Sequence, residues 1–348
     1  MSRFRTKYIP ALRVASKLAA SIITRRRVPL YVGLFITEVC NLKCIYCFPD
    51  SPNRQVKDLS KEQIFGIVDE LYKMGTRYIT ILGGEPTMRK DFGEIVDYIT
   101  CKGIMAEVGT NGYYTKARLE DFKKLYIVCH SIDGDEEGHD ANRGKGSYKK
   151  IIESLTLCKE NNIPVQMRTV FNKNNARCLE YLLNLSREFG TSLALAEQAV
   201  VKEKDSEYAM TTEEIRDFWI KVREYKKKGY KIDKSFALLD KIINYPVEIP
   251  YSKIFKKGEE VPYDGDFPTC KLSNGYCFID VDGYMYPCAT LFGKFGKNIF
   301  EVGIKEAWDY LEERECLFCR QSIQDLKSYF FSTDPKSFAV VIRNFLSK

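Results

Sequence analysis

An α/β fold built from parallel βα units is what the sequence predicts, on three observations. Short apolar, β-branched runs alternate with stretches of helical period. The alternation repeats six times between residues 31 and 228. Cap and turn residues mark the changes. In order, the chain reads as strand 31–37, then helix 60–74, with Ser60 as N-cap and Gly75 just past its end. Strand 78–82, helix 91–101, strand 105–109, helix 115–123 and strand 125–131 follow. Helix 147–160, strand 164–171, helix 175–189, strand 192–197 and helix 211–228 complete the series. Six units are too few for a closed eight-stranded barrel, and this order suits an open doubly wound sheet equally well.

The flanks differ in character. Residues 1–30 are a basic amphipathic segment: Tyr8, Leu12, Ala15, Leu18, Ala19, Ile22 and Ile23 recur at spacings of three and four, with Arg13 and Lys17 off that stripe. Residues 229–268 show no period and read as a connecting segment. Residues 269–320 hold a second group of cysteines, and 321–348 form a tail ending in the apolar stretch Phe338 to Leu346.

Composition narrows the classes. Of 348 residues, 45% are hydrophobic and 29% charged, which is globular and excludes a largely disordered chain. No run of eighteen apolar residues occurs, so no membrane span is expected. The net charge is +7, but Arg3, Arg5, Lys7, Arg13, Lys17 and Arg25 to Arg27 all precede the first acid, Glu38. Removing those eight charges leaves −1 for the rest, which argues against a nucleic-acid-binding surface. The start lacks an uninterrupted apolar core and a cleavage site for secretion. Its Arg-rich, acid-free character also resembles a mitochondrial transit peptide. The twelve cysteines are therefore expected in a reducing, cytoplasmic setting, where clustering means metal or redox chemistry. Cys101, Cys129, Cys158 and Cys178 stand singly and read as small buried hydrophobes.

Cys40, Cys44 and Cys47 lie directly after the first strand. Thiolates suit an iron–sulfur cluster or zinc. With no fourth Cys or His nearby, a closed tetrahedral zinc site is not available locally, whereas three ligands on a four-iron cluster leave one iron open. This Cys40-x3-Cys44-x2-Cys47 spacing resembles the signature of the radical S-adenosylmethionine (radical SAM) superfamily. Further matches close successive strands: Gly83, Gly84, Glu85 and Pro86 after the second, Thr110, Asn111 and Gly112 after the third, Ser131 with Asp133 and Gly134 after the fourth. Arg168 and Asn172 lie in or at the end of the fifth. In a barrel, these positions share the carboxyl-end face that carries chemistry.

The resemblance implies a partial (β/α)6 TIM barrel over roughly residues 31–200. It implies a [4Fe-4S] cluster whose open iron is chelated by S-adenosylmethionine. One electron then cleaves the sulfonium to methionine and a 5′-deoxyadenosyl radical, which abstracts hydrogen from an unactivated carbon. Under it, Tyr46 stacks on adenine, Gly83, Gly84 and Glu85 receive the ammonium, and Ser131 and Asp133 the ribose. Asn111 lies among the cofactor contacts, and Arg168 pairs with the methionine carboxylate. An electron donor such as flavodoxin or ferredoxin is implied as partner.

Cys270, Cys277, Cys288, Cys316 and Cys319 surround a predicted β-hairpin turning at Asp282 and Gly283. This resembles the small C-terminal hairpin/helix extension of the superfamily, in its short twitch form related to the SPASM domain. That implies one auxiliary [4Fe-4S] cluster held by Cys270, Cys288, Cys316 and Cys319. Cys277 is then a core thiol or a substitute for Cys270. A zinc ribbon is the alternative use of the same cysteines.

His130, Glu197 and Gln198, at strand ends, are the acid–base and substrate-site candidates, while His139, Asp140 and Arg143 read as organising a loop. Three readings of the N-terminal helix stand: a cap on the barrel bottom, a peripheral membrane contact placing Arg25–Arg27 at anionic headgroups, or a site for an acidic peptide. About thirty residues before the first strand are too few for a separate peptide-binding domain. That weakens the peptide reading, and the acid-free start and the apolar tail lean the expectation to a lipid or membrane-derived substrate, with a soluble sugar-like metabolite or a peptide as alternatives. An iron–sulfur electron carrier is the non-enzymatic one.

Overall fold

In the computed structural model, the described residues are 9–24, 26–47, 49–50, 53–199, 206–249, 253–260 and 270–319. The apolar tail, Tyr8 and Arg25 fall outside them. Helix α1 (Ile9–Thr24) precedes six βα units: β1 (Tyr31–Phe35), α2 (Lys61–Met74), β2 (Tyr78–Leu82), α3 (Phe92–Cys101), β3 (Met105–Thr110), α4 (Thr115–Phe122), β4 (Ile127–Ser131), α5 (Glu136–Arg143), α6 (Ser147–Glu160), β5 (Val165–Phe171), α7 (Leu179–Glu188), β6 (Leu193–Glu197) and α8 (Thr212–Lys227). Helix α2 starts and stops as its sequence dictates. Ser60 and Gln63 form a capping box, and Gly75 ends the helix with a left-handed φ of 114°.

Strands β1 to β6 are parallel and adjacent in chain order. That order separates a partial barrel from a doubly wound sheet, whose strand order reverses at a switch point. Alternation then sorts the side chains. Val32, Leu34, Ile79, Ile81, Val108 and Val128 pack outward against helices. The opposite parity faces the lumen.

Three features depart from the expectation. Residues 136–143 form α5 rather than a loop, capped by Asp135 accepting from the Gly138 N–H. Its buried face consists of Gly138, His139, Asn142 and Arg143, so it carries no apolar stripe to read. Residues 236–243 within the connecting segment form α9 (Phe236–Ile243), capped by Ser235, whose Leu238, Leu239 and Ile242 join the core around α8. The C-terminal part continues the barrel sheet: β8 (Tyr276–Ile279) pairs parallel with the free edge of β1, and β9 (Tyr284–Tyr286) and β10 (Lys297–Asn298) extend it antiparallel to nine strands. The expected hairpin turn is present, with Gly283 at φ 85°. A separate pair joins β7 (Ile254–Lys256) to β11 (Cys316–Cys319), and α10 (Ile299–Val302) and α11 (Ile304–Tyr310) lie between β10 and β11.

Helix α1 caps the barrel. Val14 and Leu18 are buried in one cluster with Leu30, Tyr78 and Met105, and Tyr78 and Met105 open β2 and β3, so α1 sits at the amino ends of the strands. Arg27 is not free for lipid headgroups. It donates to the Ser273 and Trp308 carbonyls, pairs with Glu312 at 2.9 Å and lies over the Trp308 ring at 4.9 Å. No helix among the described residues is long and apolar enough to cross a membrane.

Candidate active site at the barrel mouth

The loop after β1 carries Cys40, Cys44 and Cys47, all partly exposed. It is fastened on four sides. Toward β2, the Gly84 and Glu85 N–H groups each donate at 2.8 Å, to the Thr37 and Val39 carbonyls. A Cβ on Gly84 would stand 2.4 Å from the Val39 oxygen, and one on Gly83 2.6 Å from the Thr37 oxygen. These glycines thus let the cluster loop lie against β2. Toward β3, Asn111 Nδ2 donates to Asn41 Oδ1 at 2.9 Å. Toward α5, the Ile45 N–H donates to the Asn142 carbonyl at 3.0 Å. Toward the hairpin, Arg54 pairs with Glu38 at 3.0 Å, Asp280 at 2.7 Å and Asp282 at 3.4 Å.

Several expected cofactor contacts are engaged within the chain. Glu85 is buried, and its carboxylate accepts from the Thr87 N–H and hydroxyl, the Thr110 hydroxyl and the Asn111 N–H. Asp133, wholly buried, accepts from Tyr46 Oη, from Arg143 Nε at 2.7 Å and from the Val170 N–H at 3.2 Å. Arg168 Nη2 donates to Glu107 Oε1 at 3.0 Å. Ser131 pairs with Arg168 in the sheet register and is partly exposed.

His130 does not face the barrel lumen. It points out of the barrel, wholly buried against α6, with Nε2 2.6 Å from Ser154 Oγ, because its parity on β4 is opposite to that of Ser131. Burial pulls its pKa down to about 4. Glu197 and Gln198 are buried, and Gln198 accepts from Asn172 Nδ2 at 3.0 Å.

Some contributors escaped the sequence. Glu107 lies inside β3 and is almost fully buried. Tyr31, Tyr78, Thr80 and Arg168 all donate to it, and despite the burial penalty the Arg168 cation and these donors lower its pKa to about 2. An acid in the middle of an apolar strand was the available signal. Arg143, on α5, reaches both Asp133 and Cys44.

The auxiliary cysteines meet. Cys270, Cys288, Cys316 and Cys319 line one pocket, with Leu272 and Arg314 on its wall. Arg314 Nη2 is tied to the Cys270 carbonyl at 2.7 Å. Cys277 does not line this pocket. It is wholly buried in the core with Ile279 and Trp308, and burial raises its pKa. At neither site, among the described residues, do three His, Cys, Asp or Glu side chains gather tightly enough for a single metal ion. As donor sets, three thiols on a pinned loop at the mouth and four thiols around one pocket both fit iron–sulfur clusters, in which each cysteine sulfur would bind a separate iron.

Residues 34–185 match the model of the radical SAM superfamily. Over that range the chain is similar to a radical SAM domain. Members of that superfamily use a [4Fe-4S] cluster with S-adenosylmethionine, and the three cysteines lie inside the matched range. Over 175 residues the chain is 33% identical to mycofactocin maturase MftC of Mycolicibacterium smegmatis, covering 48% of this chain and 44% of that protein. The chain thus spans less than half of that relative's length. It is 24% identical over 309 residues to the AdoMet-dependent heme synthase of Methanosarcina barkeri, covering 84% and 85% of the two chains. In structure it resembles Streptococcus suis SuiB bound to S-adenosylmethionine, with a TM-score of 0.65 at 19% identity, over 84% of this chain and 68% of that one. This likeness bears on the fold, which is the partial barrel expected of a radical SAM domain.

Proposed function

We propose that the protein is a radical SAM enzyme. It binds S-adenosylmethionine at a cluster held by Cys40, Cys44 and Cys47 and carries one auxiliary cluster on Cys270, Cys288, Cys316 and Cys319. The observation that carries the reading is the pinned loop, which presents three thiols at the carboxyl-end face of a radical SAM domain. The bound cluster and cofactor supply one-electron cleavage and hydrogen abstraction. The chain's own residues then do the rest. Tyr46, hydrogen-bonded to Asp133, offers a ring beside the loop. Gly83, Gly84 and Asn111 set the loop's height over the strand ends. Helix α1 closes the far end against water.

The lumen supports a polar reacting group rather than an acyl chain. Tyr31, Tyr78 and Thr80 surround Glu107, and Arg168 stands beside it with 37% of its side chain exposed. This weakens the lean toward lipid. The heme synthase, similar along four fifths of both chains, lends weight to a small molecule, while the maturase keeps a peptide as the second reading.

The test is anaerobic 5′-deoxyadenosine formation under a strong reductant, with the intact protein and its Cys44→Ala variant. Polar metabolite, peptide and lipid fractions of the source cells are added separately. Formation that requires Cys44 and rises with one fraction supports the reading and names the substrate class. Equal formation by the variant, or none from iron-loaded protein, overturns it.

A further inference from the structure

Arg143 stands where a fixed cation meets a cluster cysteine. Its Nη1 lies 4.0 Å from Cys44 Sγ, within reach of an N–H to sulfur hydrogen bond. The other edges are occupied: Nε donates to Asp133 Oδ2 at 2.7 Å, and Nη2 lies 3.5 Å from Oδ1. The guanidinium carbon lies 5.5 Å from the centre of the Tyr46 ring. Only 10% of the side chain is exposed.

Asp133 is itself immobilised. It receives Tyr46 Oη and the Val170 N–H, and its own N–H donates to His139 Nδ1 at 3.1 Å. His139 and Arg143 are one helical turn apart on the buried face of α5. The helix therefore presents a base that orients Asp133 and a cation that Asp133 orients in turn. The result is a guanidinium whose remaining edge faces Cys44 and cannot swing away without breaking a buried ion pair.

We infer that Arg143 is a positioning residue of the barrel-mouth centre: it fixes the Cys44 sulfur and raises the reduction potential of the cluster bound there. The inference rests on the reading of Cys40, Cys44 and Cys47 as cluster ligands. Its physics is simple. Reduction adds one negative charge to the cluster, and sulfur-directed hydrogen bonds and nearby positive charge favour the more negative state. Asp133 offsets part of Arg143's charge at longer range, but the donor edge is the group nearest the sulfur.

The test is an EPR-monitored redox titration of the full-length protein, wild type beside Arg143→Met and Arg143→Lys, with iron content and circular dichroism as controls. Adding S-adenosylmethionine marks the barrel-mouth signal. Arg143→Met should move that signal to more negative potential and leave a several-fold smaller reduced fraction at a fixed reductant poise. The auxiliary signal should stay in place. Arg143→Lys keeps the charge without the fork and should fall between the two. An unchanged potential in iron-loaded Arg143→Met overturns the inference. If Arg143→Met does not fold or load iron, Arg143→Lys decides: a wild-type potential in loaded protein overturns it, and a lowered one supports it. Failure of the parent reading looks different, because iron and signal in Cys44→Ala then match wild type.

Discussion

The two cysteine sites are built by opposite means. At the barrel mouth, Cys40, Cys44 and Cys47 lie on a loop held almost entirely by polar contacts: backbone bonds to β2, an amide pair to β3, the Arg54 ion pairs and the Asp133–Arg143 frame. In the C-terminal part, Cys288 sits in an aromatic cluster with Tyr276, Phe278, Tyr286 and Phe292. The other three cysteines, partly exposed, line one pocket with it. Polar fastening leaves thiols accessible from one side and fixes their direction. On the proposed reading, the first site does chemistry on what enters the barrel, and the second holds an electron or supports the fold.

The largest expected effect separates the two. Cys44→Ala should abolish 5′-deoxyadenosine formation, beyond the roughly 10–100-fold that loss of an outer-shell contact costs. Cys316→Ala should lose auxiliary iron yet still cleave S-adenosylmethionine, with substrate turnover impaired. Liquid chromatography of the nucleoside and the modified substrate reads both. Equal loss of cleavage in the two variants would break the contrast.

Arg54 joins the sites, so its removal should come next. Arg54→Met leaves the buried Glu38 and Asp280 carboxylates facing each other without their cation. The expected loss is about 3 kcal/mol of stability, seen as a lower melting temperature. A smaller loss in Arg54→Lys would sharpen the assignment to charge.

Acid should destabilise the barrel through two buried histidines. His130 and His139 both have pKa values pulled down to about 4, by burial in each case and for His139 also by Arg143. The unfolded chain therefore takes up protons first as pH falls below about 6.5. The associated stability is complete above that value and is lost progressively toward pH 4. Between pH 7 and pH 5 the expected loss is about 2 kcal/mol for His130. Denaturant titrations at the two pH values check it, and His130→Asn should flatten the dependence.

The smallest effect concerns Cys277. As a core thiol away from the pocket, it should cost about 1 kcal/mol when changed to Ala and leave iron content unchanged. Loss of auxiliary iron in that variant would return it to the ligand set.

Much of this was legible in the sequence where a local rule decides. The bounds of β2 and the caps of α2 follow from apolar runs and from Ser60 and Gly75 alone. Helix α5 was not legible, because helical periodicity reports an apolar face and its buried face is His139, Asn142 and Arg143. The site residues were legible as types rather than as partners. Arg168 reads as a cofactor contact, but its carboxylate lies 61 residues away on β3. Glu85 and Asp133 read as cofactor contacts too, but nothing local in the sequence shows that Asn111, Tyr46 and Arg143 occupy them. His130 and Cys277 show what strand parity would have told: each neighbours a residue of opposite facing, Ser131 and Tyr276.

The central claim, two cluster sites of which one is open to cofactor, is tested most directly by EPR of the reduced, iron-loaded protein with and without S-adenosylmethionine, in wild type, Cys44→Ala and Cys316→Ala. Two signals are expected in wild type. The cofactor should shift one of them, and that signal should be absent from Cys44→Ala and present in Cys316→Ala. A cofactor-dependent shift that survives Cys44→Ala, or one that disappears with Cys316→Ala, would contradict it.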